Sequence, residues 1–208
     1  MYARLEGCSW NADCCWVAAR SGHLDCLQWA HLHGCDWNEE VCNASALEGR
    51  IDILMWAIEH GCPISTHTCS NAAIGGHLHC LKWLHENGCE WDEFTCSRAS
   101  ASGHLNCLQY AHEHGCEWDE LTTSNASYKN RLDILVYAVE HGCPMDEYTV
   151  LEATKYGHLN MIQYAVTNGC PYHPDTCRLA IENKRIDILR WCLDNGFPYD
   201  RDHYYQFY

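Results

Sequence analysis

The chain has no run of 18 or more uncharged apolar residues, so no segment is expected to cross a membrane as a helix. Residues 1–10 lack the basic start and apolar core of a secretory signal, and no export is expected. Basic residues are scarce. Thirteen Lys and Arg against 28 Asp and Glu give a formal net charge of -15, which repels phosphate backbones and anionic lipid. Nucleic acid and membrane surfaces are therefore poor partners, and proteins are the expected ones. No Cys-x-x-Cys pair occurs, no glycine-rich strand-to-helix loop suits a nucleotide, and no nucleophile stands in a motif with a base and an orienting acid. The chain is expected to have no catalytic residues, no metal ligands and no cofactor. Pro- or Ser-rich linkers and charge blocks are also missing, which favours one continuous domain over residues 1–208.

What the sequence does have is enough apolar material for a core, 47% of 208 residues, together with 17 cysteines and 15 histidines. That many cysteines invites either a disulfide scaffold or a multi-zinc protein. The count is odd and no export signal accompanies it. Free thiols in a reducing compartment, the cytoplasm, are the expectation.

The spacing of the cysteines gives the architecture. Gly7, Gly34, Gly61, Gly88, Gly115, Gly142 and Gly169 each precede a Cys, Gly196 precedes Phe197, and every interval is 27 residues. Seven full repeats follow, 11–37, 38–64, 65–91, 92–118, 119–145, 146–172 and 173–199, with partial repeats at 1–10 and 200–208. Each reads as helix, turn, helix, loop. Asn11, Asn38, Ser65, Asp92, Asp119, Asp146 and Asp200 suit the residue that accepts a hydrogen bond from a free first-turn N–H. His173 is the exception, followed by Pro174. Small apolar residues at i, i+3 and i+4, such as Cys69, Ala72 and Ala73, give the first helix a narrow face. Gly22, Gly49, Gly76, Gly103 and Gly157 mark the turn, with Asn130 and Lys184 in the same slot. Larger residues such as Leu78, Leu81, Trp83 and Leu84 load the second helix. Two short helices cannot bury their stripes alone, so neighbouring repeats must stack.

The segment from Gly76-His77-Leu78 to Gly88-Cys89 resembles the second helix of an ankyrin repeat, and all seven repeats follow it. Thr68-Cys69 to Ala72-Ala73 resembles that family's first helix less closely. The usual ankyrin period is 33, and the six missing residues fall where ankyrins carry a β-hairpin. Short repeats of this kind are similar to the ankyrin-like arrays of large DNA viruses of amoebae. The resemblance implies an all-α solenoid of stacked helix-turn-helix ankyrin-like repeats with shortened or absent β-hairpins. Its implied activity is non-catalytic protein binding on a concave face, in the host cytoplasm if the source is viral.

Substitution between repeats tests whether the cysteines and histidines are ligands. Cys15, Cys42, Cys69, Cys96 and Cys177 share a slot with Thr123 and Val150. Cys26, Cys80 and Cys107 share another with Ile53, Ile134, Met161 and Ile188, so both slots exchange small core residues. His23, His77, His104 and His158 alternate with Arg50, Arg131 and Arg185. His33, His60, His114 and His141 alternate with Asn87, Asn168 and Asn195 just before the terminal Gly. Helix capping explains both histidine sets, and a Cys/His metal-binding protein becomes the remote alternative. His31, His85 and His112 are expected on the solvated side of the second helix. The aromatics Trp29, Trp56, Trp83, Tyr110, Tyr137, Tyr164 and Trp191 are expected in the core.

Candidate binding residues are those outside the core set that vary between repeats. The third position of the first helix holds Asp13, Glu40, His67, Phe94, Leu121, Tyr148 and Asp175. Phe94, Leu121 and Tyr148 would form an apolar patch with a polar rim, with Arg98, Asn125 and Tyr128 as further contacts. The competing reading folds these side chains onto Trp91, Trp118 and Met145. Met1 enters within a second helix and Tyr204, Tyr205, Phe207 and Tyr208 fall in a first helix, so neither end carries an evident polar cap. A structural array that self-associates through its ends, or the substrate-recognition fragment of a longer protein, is the alternative function.

Overall fold

The computed structural model describes residues 12–199; the partial repeats 1–10 and 200–208, the proposed caps Asn11 and Asp200, Cys8 and the C-terminal aromatics lie outside them. The described residues form fourteen α-helices and no strand, two helices per repeat. The chain divides into two compact blocks, residues 1–117 and 118–208. The first contains α1 (Ala12–Arg20), α2 (Leu24–Leu32), α3 (Glu39–Leu47), α4 (Ile51–Glu59), α5 (Thr66–Gly75), α6 (Leu78–Glu86), α7 (Glu93–Ser102) and α8 (Leu105–Glu113). The second contains α9 (Glu120–Tyr128), α10 (Leu132–Glu140), α11 (Glu147–Tyr156), α12 (Leu159–Thr167), α13 (Thr176–Glu182) and α14 (Ile186–Asp194).

Helix starts follow the sequence pattern in position with one shift, but Asp92, expected to cap its helix, makes no side-chain cap bond. Asn38, Asp119 and Asp146 are extended, and each side chain accepts from the N–H two residues on, at 3.1 Å. At Ser65 the Thr68 hydroxyl accepts from the backbone N–H at 3.2 Å. In the last repeat the helix begins later than expected, at Thr176, because His173-Pro174-Asp175 makes a turn of its own. The His173 carbonyl accepts there from both the N–H and the hydroxyl of Thr176.

Within each block, first helices pack on first helices and second helices on second. The first-helix row can close up because its facing residues are small, as with Ala18, Ala19, Ala72, Ala73, Ala99 and Ala126, all buried. Leu27, Ile53, Leu54, Leu81, Leu84 and Leu108 are fully buried in the first block, and Ile134, Leu135, Met161, Ile162 and Ile188 in the second. Each such side chain contributes about 1.5 to 3 kcal/mol on burial. The helical aromatics are not among them. Trp29, Trp56, Trp83, Tyr110, Tyr137, Tyr164 and Trp191 are all half-buried, because their rings are too large for the narrow inter-repeat space that Leu, Ile and Cys fill.

Candidate functional site

Both histidine sets act through backbone carbonyls. His33, His60, His114 and His141 each donate from Nδ1 to the carbonyl four residues back, at 2.7 to 2.8 Å. A carbonyl only accepts, so Nδ1 carries the proton. The same rings lie against the aromatic side chain of that residue, with Trp29 and His33 centroids 3.9 Å apart. Asn87, Asn168 and Asn195 donate to the equivalent carbonyl at 2.8 Å, which is why Asn and His interchange. The post-turn set caps differently from the expectation, reaching the preceding repeat instead of its own helix. His158 Nδ1 donates to Ser127 O at 2.9 Å, and Arg185 Nη2 to Lys155 O at 3.4 Å. The side chains of His23, Arg50, His77, His104, Arg131, His158 and Arg185 make no capping bond to the helix they precede, and Arg131 instead pairs with the Asp133 carboxylate of its own helix at 3.0 and 3.1 Å.

His31 and His85 are also not on a solvated face. His31 stacks on Trp37 with centroids 3.8 Å apart, and His85 on Trp91 at 3.9 Å with planes 5° apart; His112 is half-buried. The neighbouring loop Trp lies back over the end of the second helix and takes the imidazole face.

The thiols are packing groups with a second use. Cys62, Cys89, Cys116, Cys143 and Cys170 donate to the carbonyl 24 residues earlier, at 3.1 to 3.4 Å, tying each loop to the start of its own repeat. Thr123, in a slot that otherwise holds Cys, donates its hydroxyl to Pro144 O at 3.0 Å, as Cys69 donates to Cys89 O. Burial pushes the Cys80 and Cys143 thiols up to about 12 and Cys107 to about 11. Hydrogen bonding to Cys62 and Cys89, with burial adding to it, raises Cys42 and Cys69, and the same bonds lower Cys62 and Cys89. Thiols held protonated in the interior are poor nucleophiles. Among the described residues no group of three or more His, Cys, Asp or Glu is placed to hold a metal ion, and no helix is long and apolar enough to cross a membrane.

The candidate contact residues fall in both blocks. In the first, Phe94 is 46% exposed near the start of α7, with the Arg98 guanidinium 5.9 Å from its ring centroid and Arg98 Nη1 bonded to Ser70 Oγ at 3.1 Å. In the second, Leu121 and Tyr148 are 48% and 57% exposed at equivalent positions of α9 and α11. Asn125 and Tyr128 are half-buried further along α9, where Tyr128 meets Tyr156 edge-on at 4.6 Å and Lys129 lies 4.4 Å from the Tyr128 ring centroid.

A groove of about 590 Å³ in the first block was not foreseen from the sequence. His85, Glu90, Trp91, Asp92, Glu93 and Glu117 line it, with the glycines at two repeat ends. A signal for it does exist in the chain, the recurrence of an acid-Trp-acid-Glu loop at 90–93 and 117–120 and a close variant at 36–39.

Residues 69–112 match the sequence model of the family described as ankyrin repeats (many copies). No curated protein sequence matches the chain. Among solved structures, the chain is similar to the human ASB11 ankyrin repeat domain, with a TM-score of 0.63 at 18% identity over 76% of this chain and 84% of that one. The fold is that of an ankyrin repeat array, built here on a 27-residue period.

Proposed function

We propose that the chain is a non-catalytic scaffold that binds a protein partner in a reducing cytosol. Ankyrin repeats generally serve as protein-protein interaction modules, which supports the reading. The observation that carries it is the exposure of Phe94, Leu121 and Tyr148. Each projects from the first turn of its helix, and the starts that carry Leu121 and Tyr148 are capped by Asp119 and Asp146, a rigid mounting for a contact residue that folding does not need buried. Arg98, held by Ser70, and Asn125 and Tyr128 extend these faces within their own blocks. The thiols support a reducing compartment, because sixteen cysteines among the described residues are free and most are buried as small hydrophobes.

The test is a pull-down from reducing cytosolic extract with the natural chain and with a Phe94→Ala, Leu121→Ala, Tyr148→Ala variant shown to be folded by circular dichroism. The reading predicts a partner captured by the natural chain and reduced at least tenfold in the variant. A natural chain that captures nothing and instead grows in mass with concentration would favour a self-associating array.

A further inference from the structure

The groove of the first block is lined by acids around an aromatic ring. Glu90, Asp92, Glu93 and Glu117 bring four carboxylates to its lining, and no Lys or Arg lines it. The stretches that form it, residues 85–93 and 113–117, contain six acidic residues and no basic one. Among the described residues none of the four lining carboxylates is in an ion pair. Asp92 stands where Asn38, Asp119 and Asp146 cap their helices, yet its side chain makes no cap bond, and its Oδ1 is buried without a hydrogen-bond partner. An acceptor left in that state lowers its free energy by receiving a donor.

The floor is aromatic. Trp91 is half-buried, held flat on His85 and edge-on to Tyr110 at 6.1 Å. An indole fixed in this way offers a preorganised π surface among carboxylates, the setting in which a guanidinium or ammonium is attracted to ring and acid together. Lys82 already lies 5.2 Å from the Tyr110 ring centroid, just outside the lining, so the neighbouring ring takes a cation within the chain itself.

We infer that this groove docks an extended Arg- or Lys-bearing segment of a protein partner, with a cationic side chain between the Trp91 ring and the carboxylates of Glu90, Glu93 and Glu117. The assignment rests on the protein-binding reading above and gives that reading a partner chemistry. Charge complementarity selects the occupant, since an acidic or apolar segment would leave the carboxylates of Glu90, Glu93 and Glu117 unmatched.

The experiment uses the full chain and a fluorescein-labelled hexa-arginine peptide, with hexaglutamine as the neutral comparison, followed by anisotropy at low and physiological salt. The Glu90→Gln, Glu93→Gln, Glu117→Gln variant is expected to raise the Kd at least tenfold. A control of equal charge change on exposed acids outside the groove, Asp52→Asn, Glu59→Gln, Asp187→Asn, should raise it less than twofold. In 1H–15N spectra the Trp91 indole N–H should shift on saturation while that of Trp191 stays in place. Equal losses in the two variants, an unmoved Trp91 resonance, or no hexa-arginine binding at low salt would each overturn the assignment. None of these would touch capture of a partner by the natural chain, so the groove and the broader reading fail separately.

Discussion

At the scale of single residues, each slot of the repeat is defined by a bond to be made more than by a residue type. His and Asn alternate at the end of the second helix because both donate to the same carbonyl, and Thr replaces Cys where a hydroxyl reaches the same loop. The turn slot obeys a conformational demand instead. Gly76 has φ +73°, and a Cβ there would also strike the His104 ring of the next repeat. Asn130 and Lys184 adopt φ +56° and +58° in the same slot, which for a non-Gly residue costs on the order of 1 kcal/mol. Lys184→Gly is therefore expected to raise the melting temperature by a few degrees and Gly76→Ala to lower it by more; scanning calorimetry of the two variants decides it. The turn and cap residues were legible in the sequence because each acts within a few residues of itself. The stacking of His31 and His85 on Trp37 and Trp91 was not, because periodicity gives the face of a helix but not the path of the loop that returns over it. The groove was hidden for the same reason, although its Trp and acids sit in the open in the sequence.

Between elements, the stack depends on contacts that each repeat makes to the previous one. Thr68 Oγ1 donates to Asn43 Oδ1 at 2.8 Å, and the hydroxyls of Thr123 and Thr149 bond at 3.2 Å, so the first-helix row is hydrogen-bonded as well as close-packed. His77 joins the third repeat to the second, its ring against Gly49 and hydrogen-bonded to the backbone of Leu47. Burial, with the nearby His79 and His104, holds its pKa below the usual 6.5, against smaller opposing contributions from the Leu47 carbonyl and Glu48. The unfolded chain then takes up the His77 proton more readily than the folded one. This contribution to stability is present above pH 6.5 and is lost as the pH falls below it. Thermal melts between pH 7.5 and 5.5 should show a smaller loss for His77→Gln than for the natural chain, and equal losses would remove His77 from the account. Helix pairing and stacking were legible from the 27-residue period. The half-buried placement of the aromatics was not, because an apolar stripe does not report how wide the space behind it is.

For the molecule as a whole, charge and exposure bear on function together. The chain carries a net charge of -15, and the acidic loops of the first block place part of that charge around a fixed indole. The turn slots of the second block are basic instead, with Lys129, Arg131, Lys184 and Arg185. The remaining surface residues singled out, Phe94, Leu121 and Tyr148, are apolar, exposed and unneeded by the core. The measurement that tests the central claim most directly is hydrogen exchange by mass spectrometry of the chain alone and saturated with its captured partner. The account predicts added protection at residues 90–98, 120–128 and 147–156, with the basic turns 129–131 and 183–185 unchanged. Protection confined to those basic turns, or none anywhere while the chain is saturated, would contradict it.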